Sequence, residues 1–394
     1  MTINAVIVDA IRSPSGKGKP GGALSGLHPV NMLQQTLEEL LRRNDFDPVL
    51  VDDVIAGCVS QTGEQALNIA RTAALAAGLP ESVPGTTVDR QCGSSQQAAH
   101  FAAQGVIAGA YDVVIACGVE SMSRIPMGAS SQGQDPNGAP LASRYPEGLV
   151  GQGISAELIA AKWKLDRTTL DQYSARSHQL AAKTVADGGF DKELISLQLP
   201  DGARHTADET VRASTTVDGL GNLRPSFESV QFAERFPQIN WSITPGNSSP
   251  LTDGASAVLI MSETKARELG LTPRARFHSF AVTGSDPLYM LTGVIPATEK
   301  VFARSGLSVG DIDTFEVNEA FAPVPLAWAH EVGADLDRVN PRGGAIALGH
   351  ALGASGTRLL TTMLGSLEAT GGRYGLQTMC EGGGMANATI IERL

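Results

Sequence analysis

Cysteine is scarce in this chain: there are four in 394 residues, Cys58, Cys92, Cys117 and Cys380. So few, so widely spaced, are not a disulfide framework; they fit a reducing compartment, where a lone cysteine is either buried packing or a working nucleophile. No CxxC pair and no Cys/His cluster has zinc-ligand spacing, so no metal is expected. Basic residues are outnumbered 41 to 30, a formal net charge of −11. A phosphate-backbone footprint needs the opposite balance, which argues against a nucleic-acid partner but not against one small anion in a local site. No apolar run reaches the length of a membrane span. The first residues lack the charged region and long apolar stretch of a signal peptide, and Glu392-Arg393-Leu394 is not an evident peroxisomal address. A cytoplasmic protein with no membrane partner is the expectation.

Glycine, by contrast, is abundant, with 44 residues that follow no collagen-like triplet, and 42% hydrophobic content is too much for a disordered chain. The length suits two domains, or one large domain with internal duplication. Residues 1–10 read as a strand on the run 5–8, and short apolar runs at 51–55, 113–116, 257–261 and 314–317 read as buried strands. Residues 29–43, 65–77, 95–110 and 357–370 carry apolar residues at three- and four-residue spacing and read as helices. Their alternation predicts a layered α/β fold. A weak repeat relates residues 111–118 to 374–381, each preceded by a small-residue turn and a helix. Between about 121 and 247 the pattern breaks into Gly/Pro/Ser-rich loops (127–146), a charged helical segment (154–188) and an irregular part (201–240). It reads as an insert of the kind that covers a site or mediates assembly.

Four places could carry chemistry. Cys92 ends a β-compatible run and precedes Gly93-Ser94-Ser95 and a helical pattern, which puts its sulfur at a helix N-terminus where a thiolate is stabilised; the plain alternative is a buried cysteine on a tight turn. His350 is enclosed by glycines from Gly343 to Gly356, which let backbone and ligand approach closely, and is either a general base or a core histidine. Cys380 precedes Gly382-Gly383-Gly384, whose amides could face an oxyanion or simply form a loop. Asn318-Glu319 follows a strand; Asn318 could orient a water or carbonyl and Glu319 fix a neighbour, or either could cap a helix.

Together these motifs resemble the thiolases, the acyl-CoA C-acyltransferases. The resemblance runs nearly end to end: Arg12-Ser13-Pro14, Cys92 with its flanks, Gly118 to Ser123, Leu220 to Phe227, Gly246-Asn247-Ser248-Ser249, Asp253-Gly254-Ala255, Asn318 to Ala322, Gly349-His350 and Cys380 to Gly384. It implies a duplicated fold of two βαβαβ halves in α-β-α-β-α layers with a large loop insert. The segments would be 1–120 and 248–270 for the first half, 121–247 for the insert and 271–394 for the second half. It implies Cys92 as nucleophile, His350 as its base and Cys380 as acid/base. His350 with an Asn318-held water would form one oxyanion hole, and the Cys92 and Gly382 amides the other. Coenzyme A would be a substrate and no cofactor would be bound. Ser249 would meet its pantetheine arm and Arg212 its nucleotide end, with Ala320 and Phe321 alongside. A homo-oligomer, dimer or tetramer, is also implied, with tetramer contacts in 123–146, and Cys58 and Cys117 are left as packing.

Three positions depart from the family pattern: Ser95 and Pro250 stand where glycine is usual, and Ala351 where proline is. The stretch 150–157 lacks the His and Met of biosynthetic acetoacetyl-CoA thiolases, which suggests a pocket open to larger acyl groups and a degradative 3-ketoacyl-CoA thiolase. The alternatives are the biosynthetic enzyme, a decarboxylating ketoacyl synthase, against which Cys380 speaks, and a silent acyl-CoA-binding protein.

Overall fold

A computed structural model describes residues 3–394; the first two positions of the strand expected at 1–10 lie outside the described part. Five strands form one half of the sheet, in the order Gly85–Val88, Asp53–Gly57, Val113–Ser121, Thr252–Ser262, Ala5–Arg12. The first three are parallel, and the last two each reverse direction. The other half repeats this order and these directions with Thr314–Val317, Tyr374–Glu381, Met385–Arg393 and Ala275–Gly284. An isolated parallel bridge from Phe315 to Val339 stands where Gly85–Val88 stands in the first half. The halves meet through a short antiparallel pairing, Val6 with Arg276 and Ile7 with Ala275. The similar segments 111–118 and 374–381 thus fall on equivalent strands.

Helices complete the layers. Pro29–Arg43 and Ile69–Ala76 bury apolar stripes against the outer face of the first half, and Val294–Ser305 and Pro323–Val332 do so on the second. Pro29–Arg43 starts where His28 Nδ1 accepts the Val30 amide, carries Pro29 where a missing N–H costs nothing, and ends with Arg42 and Arg43 at the negative dipole end. Ser94–Ile107 and Ser355–Thr370 lie between the two halves, walled in by strands from both. The two helices approach closely: Ala98, Ala99, Ala102 and Ala103 are buried on the first, and a Cβ on Gly356 of the second would collide with the Gln96 amide.

The insert is more helical than expected: the loop stretch 127–146 holds the helix Gly138–Arg144, and the irregular part holds Val217–Gly221 and Val230–Arg235. The charged segment 154–188 is two helices, Gln152–Lys162 and Arg167–Ala186. Lys164 turns left-handed, at φ +53°, and Asp166 caps the second helix by accepting the Thr169 amide. The helix expected from residue 65 likewise begins only at Ile69, because Leu67 and Asn68 have positive φ.

Candidate active site

Gly85–Val88 leads into a turn in which Gln91 takes a left-handed φ of +48°. The Gly93 amide donates to Arg90 O and the Ser94 amide to Gln91 O, while Ser94 Oγ accepts the Arg90 amide and donates to Gln91 O. The closed turn drives Cys92 inward at the head of Ser94–Ile107, only 3% exposed, among Met122, Leu352, Leu359 and Met379. Ser95, one of the departures, accepts the Thr357 amide at 3.0 Å and so ties this helix to Ser355–Thr370.

His350 sits on the facing loop. Its amide donates to Thr252 Oγ1 at 2.9 Å, and Thr252 in turn donates to the carbonyl of Pro250, the second departure. His350 Nδ1 lies 2.6 Å from Ser355 Oγ, which donates to the carbonyl of Ala351, the third. That hydroxyl has one proton, spent on Ala351, so Nδ1 carries the imidazole proton and Nε2 keeps its lone pair. Nε2 faces Asn318 Nδ2 at 3.4 Å. The Asn318 side chain also reaches the Cys380 sulfur, which in turn lies close enough to Cys92 for their charges to couple. Asn318 Oδ1 is buried with no partner. A Cβ on Gly382 would lie 3.1 Å from Gln91 Oε1 and 3.4 Å from Gln152 Nε2, so Gly382 faces the Cys92 turn. The structure therefore brings Cys92, His350, Cys380, Asn318 and Gly382 together.

Burial sets the electrostatics. It pushes the Cys92 thiol up to about 12; the Glu381 charge adds to this and the Gln152 amide opposes it. His350 is pushed down to about 3, first by burial and then by Arg358. The resting pair is neutral. A helix N-terminus favours a thiolate, but burial is the larger effect on Cys92, so its thiol needs a base to take the proton. Burial also raises the thiols of Cys58 and Cys117, which sit in the outer core of the first half.

The Ser249 amide and hydroxyl both donate to Ala320 O, at 3.0 and 3.1 Å, and Ser248 bridges Phe321, so three of the four expected coenzyme A residues adjoin one another. Arg212 stands in a cleft of about 350 Å³ with Lys17, Lys19, Pro250 and Leu251, next in the chain to Ser249.

Two polar residues of the site, Gln152 and Glu120, had no role in the sequence reading, and Glu319 had two. Gln152, in place of the absent His and Met, turns its side-chain amide toward the Cys92 sulfur and favours its charged form, so that wall is polar rather than simply open. Glu120 accepts from the amides of Val59, Ser60 and Gly353 and from Gln65 Nε2, pinning the His350 loop to the first half. Glu319 accepts from Tyr173, Ser177, Asn340 and the Ile346 amide, and so fixes its neighbours rather than capping a helix. For Glu120 and Glu319 the available signal was charge in an otherwise apolar segment; Gln152 had none.

The N-terminal thiolase domain matches residues 5–264 and the C-terminal thiolase domain matches residues 271–393. The chain belongs to the thiolase family. It is an acyltransferase with the thiolase fold. A steroid 3-ketoacyl-CoA thiolase, FadA6, from Mycobacterium tuberculosis is 48% identical over 99% of this chain and 94% of its own length. A 3-ketoacyl-CoA thiolase of Aliivibrio fischeri is 43% identical over 99% of both chains. The crystal structure of a Bacillus anthracis acetyl-CoA acetyltransferase superposes with a TM-score of 0.90 at 35% identity, covering 100% of this thiolase and 99% of that chain.

Proposed function

We propose that this thiolase is degradative and cleaves 3-ketoacyl-CoA with coenzyme A, giving acetyl-CoA and a shortened acyl-CoA. The observation that carries the chemistry is the convergence of four groups: Asn318 Nδ2 lies 3.4 Å from His350 Nε2, its side chain is turned to Cys380, and the Cys380 and Cys92 sulfurs are near enough for their charges to interact. His350 Nε2 takes the Cys92 proton as the sulfur attacks the 3-keto carbon. The bond between C2 and C3 breaks, its electrons pass to the acetyl-CoA enolate, and the Cys380 thiol protonates that carbon. The shortened acyl group stays on Cys92. The proton on His350 then passes to the Cys380 thiolate, and as coenzyme A attacks the acyl group His350 takes its thiol proton and hands it to the departing Cys92 sulfur. The oxyanion on the acyl carbon faces the amides of Cys92 and Gly382. The enolate oxygen faces His350 and a water on the free Oδ1 of Asn318, and one such donor is worth about a hundred- to a thousand-fold in rate.

The acyl group we propose is bulkier than acetyl, long, branched or ring-bearing. Tyr145, Leu149, Arg235, Pro287 and Leu288 line a cleft of about 320 Å³, the size range of a drug-like ligand. Pro287 backs Gly384, and Leu149 lies three residues before Gln152. The two named relatives act on 3-ketoacyl-CoA and steroid 3-ketoacyl-CoA. The test is kcat/KM for thiolysis of acetoacetyl-CoA against C8 to C16 and ring-bearing 3-ketoacyl-CoAs. At least tenfold preference for a larger substrate is expected; preference for acetoacetyl-CoA would assign the biosynthetic reaction instead.

For coenzyme A we propose that Ser249, Ala320 and Phe321 meet the pantetheine arm and that Arg212, with Lys17 and Lys19, meets the phosphates. Three cations in one cleft supply the local positive site that an acidic chain needs for an anion. The double variant Lys17→Glu, Lys19→Glu should raise KM for coenzyme A by about tenfold, less at 0.5 M salt, with kcat within threefold. An unchanged KM at low salt would remove this placement.

The reading extends to assembly, location and domain limits. The strand Gly85–Val88 ends the sheet with one edge unpaired within the chain and runs directly into Cys92. Such an edge is a template for a second copy, which supports a homo-oligomer, dimer or tetramer. No helix among the described residues is long and apolar enough to cross a membrane, and a cytoplasmic location belongs to this reading. So do the divisions at 1–120, 121–247, 248–270 and 271–394, with the insert covering coenzyme A.

A further inference from the structure

Glu381 is fully buried, yet neither carboxyl oxygen has a hydrogen-bond partner. It lies between Cys380 and Gly382 in the chain, and its head reaches across to the Cys92 turn. A Cβ on Gly93 would collide with Glu381 Oε1 and stand 2.8 Å from Asn387 Nδ2, so the carboxyl occupies space that only glycine leaves free. Asn387 Nδ2 donates to Gly93 O at 3.1 Å, and its own Oδ1 is also without a partner. The charged or titratable groups facing the carboxyl are Arg90 and Asp89, in the turn ahead of Cys92, and the two sulfurs of Cys92 and Cys380. None of them hydrogen-bonds it.

An anion in this position would have no donor of its own. It would face the Cys92 sulfur on one side and, through Gly382, the amides assigned to the acyl oxyanion on the other. We propose that Glu381 is a positioning residue that works as a neutral carboxylic acid beneath the Cys92 turn, and that its ionisation opposes acylation of Cys92. The inference rests on the reading of Cys92 as the acyl carrier.

Burial pushes this carboxyl up to about 9, with Arg90 opposing and Asp89 assisting. Below that pH it adds no charge to the site. Above it, a negative charge appears beside a sulfur that must become anionic and beside a developing oxyanion, so acylation slows as pH rises. His350, at about 3, and Cys92, at about 12, do not titrate in between.

The experiment is the initial rate of acetyl transfer from acetyl-CoA to the full-length enzyme, without added coenzyme A, quenched in acid and read by intact mass. Rates at pH 7.5 and pH 10 are compared as a ratio, which cancels any general loss from repacking. The wild type should be about tenfold slower at pH 10, one unit above the titration, and E381Q should change by less than about twofold. Glu381→Leu, which also lacks a titrating group, provides a second variant with the same expectation. An equal fall in the variants, or no fall in the wild type, overturns the proposal. Absence of any acetylated wild-type Cys92 overturns instead the reading on which it rests.

Discussion

Replacing Cys92 with alanine should lower kcat/KM for thiolysis by about ten-thousandfold or more and leave no acyl group on the protein. The expectation follows from where the residue sits. Its sulfur is the group that the Gln91 turn, the Ser94–Ile107 helix and the contact with Gln152 all aim inward. With Cys92 at about 12 and His350 at about 3, no ready thiolate exists for another nucleophile to imitate. The proton must move to Nε2 as the carbonyl is attacked, and alanine removes both the proton and the attacking atom. Folding should survive, since the site loses one sulfur from a cluster that keeps Met122, Leu352, Leu359 and Met379, at a cost of about 1 kcal/mol. The measurement pairs the loss of 3-ketoacyl-CoA absorbance with intact mass after mixing with substrate. Activity above one per cent of wild type, or an acyl adduct on Cys380, would move the nucleophile elsewhere.

Much of this site was legible because its residues sit where the sequence changes character. Cys92, Asn318 and Cys380 each close or follow a β-compatible run, and His350 and Cys380 lie beside glycines that leave room for a substrate. What could not be read is whatever depends on a partner far along the chain. Ser95 looks like an arbitrary departure from glycine until its hydroxyl is seen to accept the Thr357 amide, 262 positions away. Gln152 meets Cys92 only because the insert folds back over the first half. Glu120 and Glu381 read as ordinary carboxylates in sequence and Glu319 as either a cap or a group that fixes a neighbour, yet all three are buried. Two are surrounded by donors and one has none, a distinction that only tertiary structure makes. The need for a base on Cys92 has the same origin: the helix N-terminus was visible in the pattern, whereas the depth of burial was not. The two-helix form of the charged segment had a local signal in Asp166, three residues before the Thr169 amide that it caps.

Cys380→Ala should separate the two kinds of chemistry assigned to this site. In carbon–carbon cleavage the electrons of the broken bond pass to carbon, and a proton must arrive there from a group within reach. Cys380 is fully buried at the end of its strand, coupled to Cys92 and touched by Asn318, and no other thiol lies in the catalytic cluster. Removing it should slow cleavage of a 3-ketoacyl-CoA by about a hundred- to ten-thousandfold, the usual worth of a general acid. Exchange of labelled coenzyme A into acetyl-CoA makes no carbanion. There His350 takes the proton from Cys92 and passes it to the departing coenzyme A sulfur, so the same variant should keep exchange within about tenfold of wild type. Both assays use one enzyme, one acyl carrier and one coenzyme A site, so misfolding or lost binding would depress them together. Equal loss in both would make Cys380 a packing residue whose removal distorts the Asn318–His350 contact. Cleavage retained at wild-type rate would assign the carbon proton to another donor and bring the ketoacyl synthase mechanism back into contention.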